Sequence, residues 1–317
     1  MHSYYKDKYV IVTGGAGFIG SHLCEALVKN RANVIAVDNL IAGKKKNIIH
    51  LNNENNFKFV EADVCNREEM LPLLKDCEII FHNAASKKNV CLTDSHKDLE
   101  INAGGTLNLL ELANEFGIDR FIHASTGSVY GEPIIMPTTE KHPLRPVSYY
   151  GVSKLAGERY VDVFNRLYGL KTTILRYFHV YGTRQESNEF GGVVSIFLRN
   201  IKEGKPLRIF GSGRQVRSFT WVKDLVEANL RVGESHQAIG EVYNIASGIQ
   251  VSIEELAQGL IKLTGKQSEI LYEEPLIGDI DYFEVSSNKI SESLDVQFTK
   301  DFWGTISQSI DQFYGYL

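Results

Sequence analysis

Short apolar runs alternate with longer amphipathic stretches along the first half of this 317-residue chain. Residues 9–13, 34–37, 57–60, 78–82, 120–124 and 172–176 read as strands. Between them, 19–29, 99–116 and 150–168 read as helices, with Leu23, Ala26 and Leu27 sharing one face of the first. Continuously apolar strands separated by helices predict a parallel sheet covered on both faces. The expected fold class is α/β: a Rossmann-type doubly wound parallel sheet over residues 1–180, with a smaller α/β lobe. Beyond Tyr177 the pattern loosens and glycines punctuate it; helices are expected at 193–202, 253–263 and, on the surface, 302–313. The strand-like stretch 242–246 is expected to return to the main sheet within a segment of about 212–248. The lobe, mainly 181–317, is then interleaved with the sheet domain.

The strongest local signal is Thr13-Gly14-Gly15-Ala16-Gly17-Phe18-Ile19-Gly20, between the first strand and the first helix. Glycines there allow a tight turn, a close approach of backbone to pyrophosphate, and close helix–strand packing. The helix start then offers free N–H groups and a positive dipole end. Asp38 ends the second strand, about 20 residues on, where a carboxylate can bind ribose hydroxyls and repel a 2′-phosphate. Together they predict a bound NAD rather than NADP. The nearby Lys44-Lys45-Lys46 reads as a solvated loop, although it could reach a phosphate beside the cofactor.

Composition narrows the class. A net charge of −5 argues against a nucleic-acid partner, which would show as a basic face. No run approaches the ~20 apolar residues needed to cross a bilayer, and no apolar signal core precedes the first strand. Cys24, Cys65, Cys77 and Cys91 show no metal-ligand spacing, so no metal is expected. A reduced, cytoplasmic protein without membrane partners is the expectation.

Tyr150-Gly151-Val152-Ser153-Lys154 places a phenol and an ammonium four residues apart on one helix face. A tyrosine with its reference pKa near 10 is a poor base at neutral pH. A nearby ammonium and a positive nicotinamide ring stabilise the phenolate and bring it into range. Directly after the fifth strand comes Ser125-Thr126-Gly127-Ser128-Val129-Tyr130-Gly131, at the ligand-facing end of the sheet. A hydroxyl there can hold the oxygen of an alcohol being oxidised.

TGGAGFIGSH, Asp38-Asn39-Leu40, Glu61-Ala62-Asp63-Val64, His82-Asn83-Ala84-Ala85, STGSVYGE, YGVSK, RYFHVYG, RSFTWVKD and the Gly-Asp-Ile at 278–280 follow one another in order. In this the chain resembles the extended short-chain dehydrogenase/reductase family over nearly its whole length. It is most similar there to the UDP-sugar 4-epimerases among the nucleotide-sugar epimerases and dehydratases. The resemblance implies Tyr150, Lys154 and Thr126 as catalytic residues, with Ser125 as the fallback for Thr126. Gly14, Gly17, Phe18, Ile19 and Gly20 would form the pyrophosphate turn, with Asp38 and Asn39 at the ribose. Asp63 and Val64 would frame the adenine, and Ala84, Ala85 and Asn102 the cofactor channel. Lys87 would reach the nicotinamide, beside which Tyr177 and Phe178 would pack. Thr126, Ser128, His179 and Arg217 would bind substrate, Arg217 at the diphosphate, where a planar permanent cation is useful.

The reaction so implied is epimerisation of a nucleotide-diphosphate sugar at C4, with the smaller lobe binding substrate. A 4,6-dehydratase needs an acid–base pair, typically Asp-Glu, after the threonine; here Gly127 and Ser128 hold those places. Net C4 dehydrogenation stays open, because His179 replaces the usual asparagine and Leu276 a usual arginine. A non-catalytic NAD-sensing regulator would keep the glycine turn but would not need Tyr150, Lys154 and Thr126 together. Surplus apolar positions on 99–116 and 150–168 predict a homodimer.

Overall fold

The computed structural model describes residues 2–86, 88–188, 191–275 and 282–316, and the side chains of 88–90 are not among those described. Lys87, Leu276 and the 278–280 motif therefore lie outside the described residues. Seven apolar runs become strands: β1 (Tyr9–Thr13), β2 (Asn33–Asp38), β3 (Phe57–Glu61), β4 (Ile79–His82), β5 (Arg120–Thr126), β6 (Thr172–Tyr177) and β7 (Val242–Ile245). They pair in parallel in the order β3-β2-β1-β4-β5-β6-β7. β4 and β5 are buried on both faces, apart from a part-exposed Thr126, which explains their unbroken apolar runs. The winding reverses between β1 and β4, and the crevice at the carboxyl ends of these strands is where such sheets bind ligands.

Helices cover both faces. On one side, Leu23 and Leu27 of α1 (Phe18–Lys29) pack with Val10, Val12 and Phe81. On the other, Leu109, Leu110 and Leu112 of α2 (Thr106–Phe116) join Val161 and Phe164 of α3 (Tyr149–Tyr168) over Ile11, Ile80 and Phe121. α3 is fixed at its start by Ser148, whose hydroxyl accepts the Gly151 N–H at 3.1 Å, and at its end by Gly169 at φ +71°. That cap puts Tyr150 in the first turn and Lys154 one turn later.

The second half builds its own core from Phe197, Leu198, Trp221 and Leu256. The expected surface helix runs Phe302–Tyr316 and seats Phe302, Ile306 and Phe313 in that core. The 242–246 stretch returns to the sheet as β7, beside β6. One expectation is corrected. The single helix expected over 99–116 is broken: Ser95–Leu99 is helical, Glu100–Gly105 is a π-helical turn, and α2 begins at Thr106. The cause is tertiary. Asn102 is drawn into contacts with Ser86, Asp98 and Ser153, while α3 crosses so closely at Gly157 that a Cβ there would lie 2.9 Å from the Asn102 carbonyl oxygen. Single π-turns of this kind recur at functional sites.

Among the described residues, no helix is long and apolar enough to cross a membrane, and no cluster of His, Cys, Asp or Glu could hold a metal.

Candidate active site

The glycine turn is built by contacts that exclude side chains. Gly14 sits at φ +66°, and a Cβ there would lie 2.9 Å from the Ala84 nitrogen. The Gly17 N–H donates to the Gly14 carbonyl at 3.0 Å, and a Cβ at Gly20 would lie 2.1 Å from that same oxygen. α1 starts here with no side chain capping it, so its first-turn N–H groups face the crevice with the helix dipole behind them. Asp38 closes the turn from β2: its carboxylate accepts the Ala16 N–H at 3.0 Å and the Leu40 N–H at 2.8 Å.

A cavity of about 510 Å³ opens over these groups at the carboxyl ends of the strands. Gly14, Gly17, Phe18, Ile19 and Gly20 form one part of its wall, and Asp38, Asn39, Asp63 and Val64 another. Ala84, Ala85, Tyr150 and Tyr177 continue it. Asn39 donates its amide to Asp63 at 3.1 Å. Burial works to raise the Asp63 carboxyl, but the Cys65 N–H and the Asn39 amide outweigh it and hold the group below its ordinary value.

The expected residues play unequal parts in this wall. Asn102 stands behind it: its amide donates to Ser86, Asp98 and Ser153 and its oxygen accepts the Ser86 N–H, bracing the segment after Ala85. Phe178 is buried against the Tyr130 ring. His179, at φ +34°, meets Phe219 edge-on, and Arg217 lies on the strand Val216–Ser218, donating to the Val216 carbonyl at 3.0 Å. The wall also contains Ser86, Ile101, Glu186 and Asn188, which the sequence did not single out. Ser86 immediately follows the quoted Asn83-Ala84-Ala85; Glu186 and Asn188 sit in an aperiodic stretch that carries no signal.

The Thr126 side chain lies near enough to Tyr150 to pull its phenol downward, while the Thr126 hydroxyl itself donates to Ser128 Oγ at 3.2 Å. Ser125 is turned away, its hydroxyl donating to Glu158 at 2.5 Å, so Thr126 is the hydroxyl presented beside the phenol. Burial first, then the Asp98 carboxylate and the Cys91 thiol, raise the Tyr150 phenol against the pull of the Thr126 side chain, leaving it at about 12. Lys154 is 1% exposed, and its Nζ finds no hydrogen-bond partner among the described residues. Burial lowers its ammonium to about 8, against the pull of Glu158 and Asp98. An orphaned buried cation is costly unless a ligand completes it. Dinucleotide ribose hydroxyls would do so, and the glycine cradle fits a pyrophosphate. The residues present fit NAD.

Comparison with known proteins agrees with this geometry. The chain is 39% identical over 275 residues to a putative UDP-glucose 4-epimerase of Methanocaldococcus jannaschii, covering 86% of this chain and 87% of that one. A UDP-glucose 4-epimerase of Thermotoga maritima, solved with UDP-glucose, superposes with a TM-score of 0.91 at 35% identity, covering 97% and 99% of the two chains. A UDP-glucuronic acid 4-epimerase of Bacillus cereus, in complex with UDP-glucuronic acid and NAD, gives 0.91 at 32%, covering 98% and 100%. A dTDP-glucose 4,6-dehydratase of Streptomyces venezuelae also reaches 0.91, at 28% and 97% of each chain, so the fold alone does not select the reaction. Residues 10–246 match the NAD dependent epimerase/dehydratase family, and to that family, with NAD as its cofactor, this chain belongs.

Proposed function

We propose that the protein epimerises a UDP-sugar at C4 through a 4-keto intermediate, with Tyr150 as the base. NAD, when bound, supplies the acceptor and donor of the C4 hydride. Tyr150 would take the proton of the C4 hydroxyl while Thr126 holds the same oxygen by a hydrogen bond. Lys154 would stabilise the phenolate and bind the ribose beside it. The flat keto sugar would then turn over, receive the hydride on its other face and recover its proton from Tyr150. In this reading the sheet domain carries NAD and the lobe of 181–317 carries the sugar nucleotide, with Arg217 and His179 toward its phosphates and Ser128 toward the sugar.

The observation that carries the reading is the Tyr150 phenol in the wall of the crevice cavity, with the Lys154 Nζ, buried and without a partner among the described residues, one helical turn along α3. The structure also gives a reason to prefer epimerisation to dehydration. A Cβ at Gly127 would lie 2.4 Å from the Phe178 ring, so an acid there would require that ring to shift. Relatives named as UDP-glucose 4-epimerases support the choice of UDP-sugars. The four cysteines are all free, which suits the cytoplasm.

The test is proton NMR of the NAD-loaded protein with UDP-, GDP-, dTDP- and CDP-sugars and no added reductant. A new anomeric signal with a UDP-sugar is expected; stoichiometric NADH would mean net oxidation instead. Tyr150→Phe should retain NAD and lose about 10²- to 10⁴-fold in turnover; full activity in that variant would remove Tyr150 as the base.

A further inference from the structure

Four side chains that the proposed chemistry leaves unused form a closed network behind the active site. Glu158 and Arg176 are 2% and 3% exposed. Arg176 grips the carboxylate with a fork, Nε donating to Oε1 at 2.9 Å and Nη2 to Oε2 at 2.7 Å. Ser125 Oγ donates to Glu158 Oε1 at 2.5 Å, and Arg176 Nη1 donates to Tyr130 Oη at 2.8 Å. Tyr130 Oη donates onward to Asn244 Oδ1 on β7 at 2.6 Å.

Every member neighbours a residue of the site. Ser125 precedes Thr126 at the end of β5, and Arg176 precedes Tyr177 at the end of β6. Glu158 lies one helical turn beyond Lys154, on the same face of α3. Tyr130 ends the turn that holds Thr126 and Ser128. The network thus ties together the two strand ends and the helix that carry the hydroxyl, the phenol and the ammonium. Stability alone is a weak reason for such a pair, since apolar residues of similar volume commonly replace one at no cost. What an apolar pair could not do is fix the rotation of α3 relative to β5, or leave a carboxylate one turn from Lys154.

We propose that Glu158 is a positioning residue whose clamp with Arg176, Ser125 and Tyr130 holds Thr126, Tyr150 and Lys154 in register and keeps Lys154 charged. The proposal rests on the reading of Tyr150 as base and Lys154 as its partner. Lys154 shares its helix with Tyr150 and Glu158. Facing it are Asp98 from Ser95–Leu99 and the buried imidazoles of His82 on β4 and His123 on β5. Glu158 is the larger of the two carboxylate influences on it. Removing that charge leaves burial less opposed, so Lys154 loses its proton at lower pH.

The experiment reads Lys154 directly, in NAD-loaded protein carrying lysine labelled with carbon-13 at Cε. The Lys154 signal is assigned by its loss in Lys154→Met and followed against pH. In Glu158→Gln the midpoint is expected about one pH unit below that of the unsubstituted protein. Glu158→Gln combined with Arg176→Met removes both charges, avoids an unpaired buried guanidinium, and should fold with a midpoint between those of Glu158→Gln and the unsubstituted protein, since the lost cation offsets part of the lost carboxylate. A merely structural pair would change Tm and leave the midpoint in place, and an unmoved midpoint in Glu158→Gln that still folds overturns the proposal. Undiminished UDP-glucose turnover by Tyr150→Phe would instead overturn the reading of the site, without altering the titration.

Discussion

The surroundings of Tyr150, burial foremost, leave less of it ionised at neutral pH than free tyrosine, because together they push the phenol up to about 12. In the proposed reading of Tyr150 as the base, turnover depends on positive charge brought against the phenolate. Lys154 offers one such charge, and a nicotinamide ring would offer a second. The sign of the pH dependence follows. A phenol with a raised pKa is protonated and idle at low pH, so activity climbs as pH rises through its working value, and each neighbouring cation moves that climb to lower pH. Lys154→Met should lower kcat near neutral pH by about 100-fold and displace the rising limb of the kcat–pH profile upward, which steady-state rates across pH will show. Spacing alone announced the Tyr150–Lys154 pair and the loop of Thr126. It could not announce which hydroxyl faces the phenol, because the turning away of Ser125 depends on Glu158, 33 residues distant in the chain.

Glycines decide the geometry of the turn between β1 and α1. A methyl group at Gly20 would meet the Gly14 oxygen at 2.1 Å and the Gly15 Cα at 3.0 Å, both backbone atoms that cannot swing aside. Gly20→Ala is therefore expected to destabilise the fold by about 1–3 kcal/mol and weaken NAD binding. Gly104→Ala meets nothing within 4 Å and should be neutral or stabilising by up to about 1 kcal/mol. Thermal unfolding and NAD titration of the two variants make the comparison. Strands and helices were legible at this scale because their apolar periods are long and unbroken. The π-turn at Glu100–Gly105 was not, since it comes from Asn102 reaching three partners and from the close approach of Gly157, neither of which leaves a period in the sequence. Glu186 and Asn188 were missed for a related reason: they reach the cavity from a loop of the second half, and only the folded chain brings that loop to the strand ends.

For the whole molecule, α3 carries an exposed apolar stripe. Val152 is 52% exposed, Tyr160 40%, Val163 41% and Leu167 71%, all on one side of the helix. A large apolar patch left facing water marks an interaction surface, and we propose that a second copy of the chain covers it. Val163→Glu with Leu167→Glu should then give a monomer by light scattering at micromolar concentration, while the parent protein runs as a dimer. The doubly wound sheet, its helical layers and the return of β7 were all legible in the chain's patterning. The reaction itself is a finer matter, since the same fold serves a dehydratase. It is decided most directly by running UDP-glucose with the NAD-loaded protein in D₂O and following the sugar by proton NMR. A C4 epimerase passes its hydride out and back without solvent, so UDP-galactose should appear with its H4 signal at full intensity and no deuterium at C5. Deuterium at C5, or a UDP-galactose H4 signal weaker than its own H1 signal, would contradict hydride return at C4.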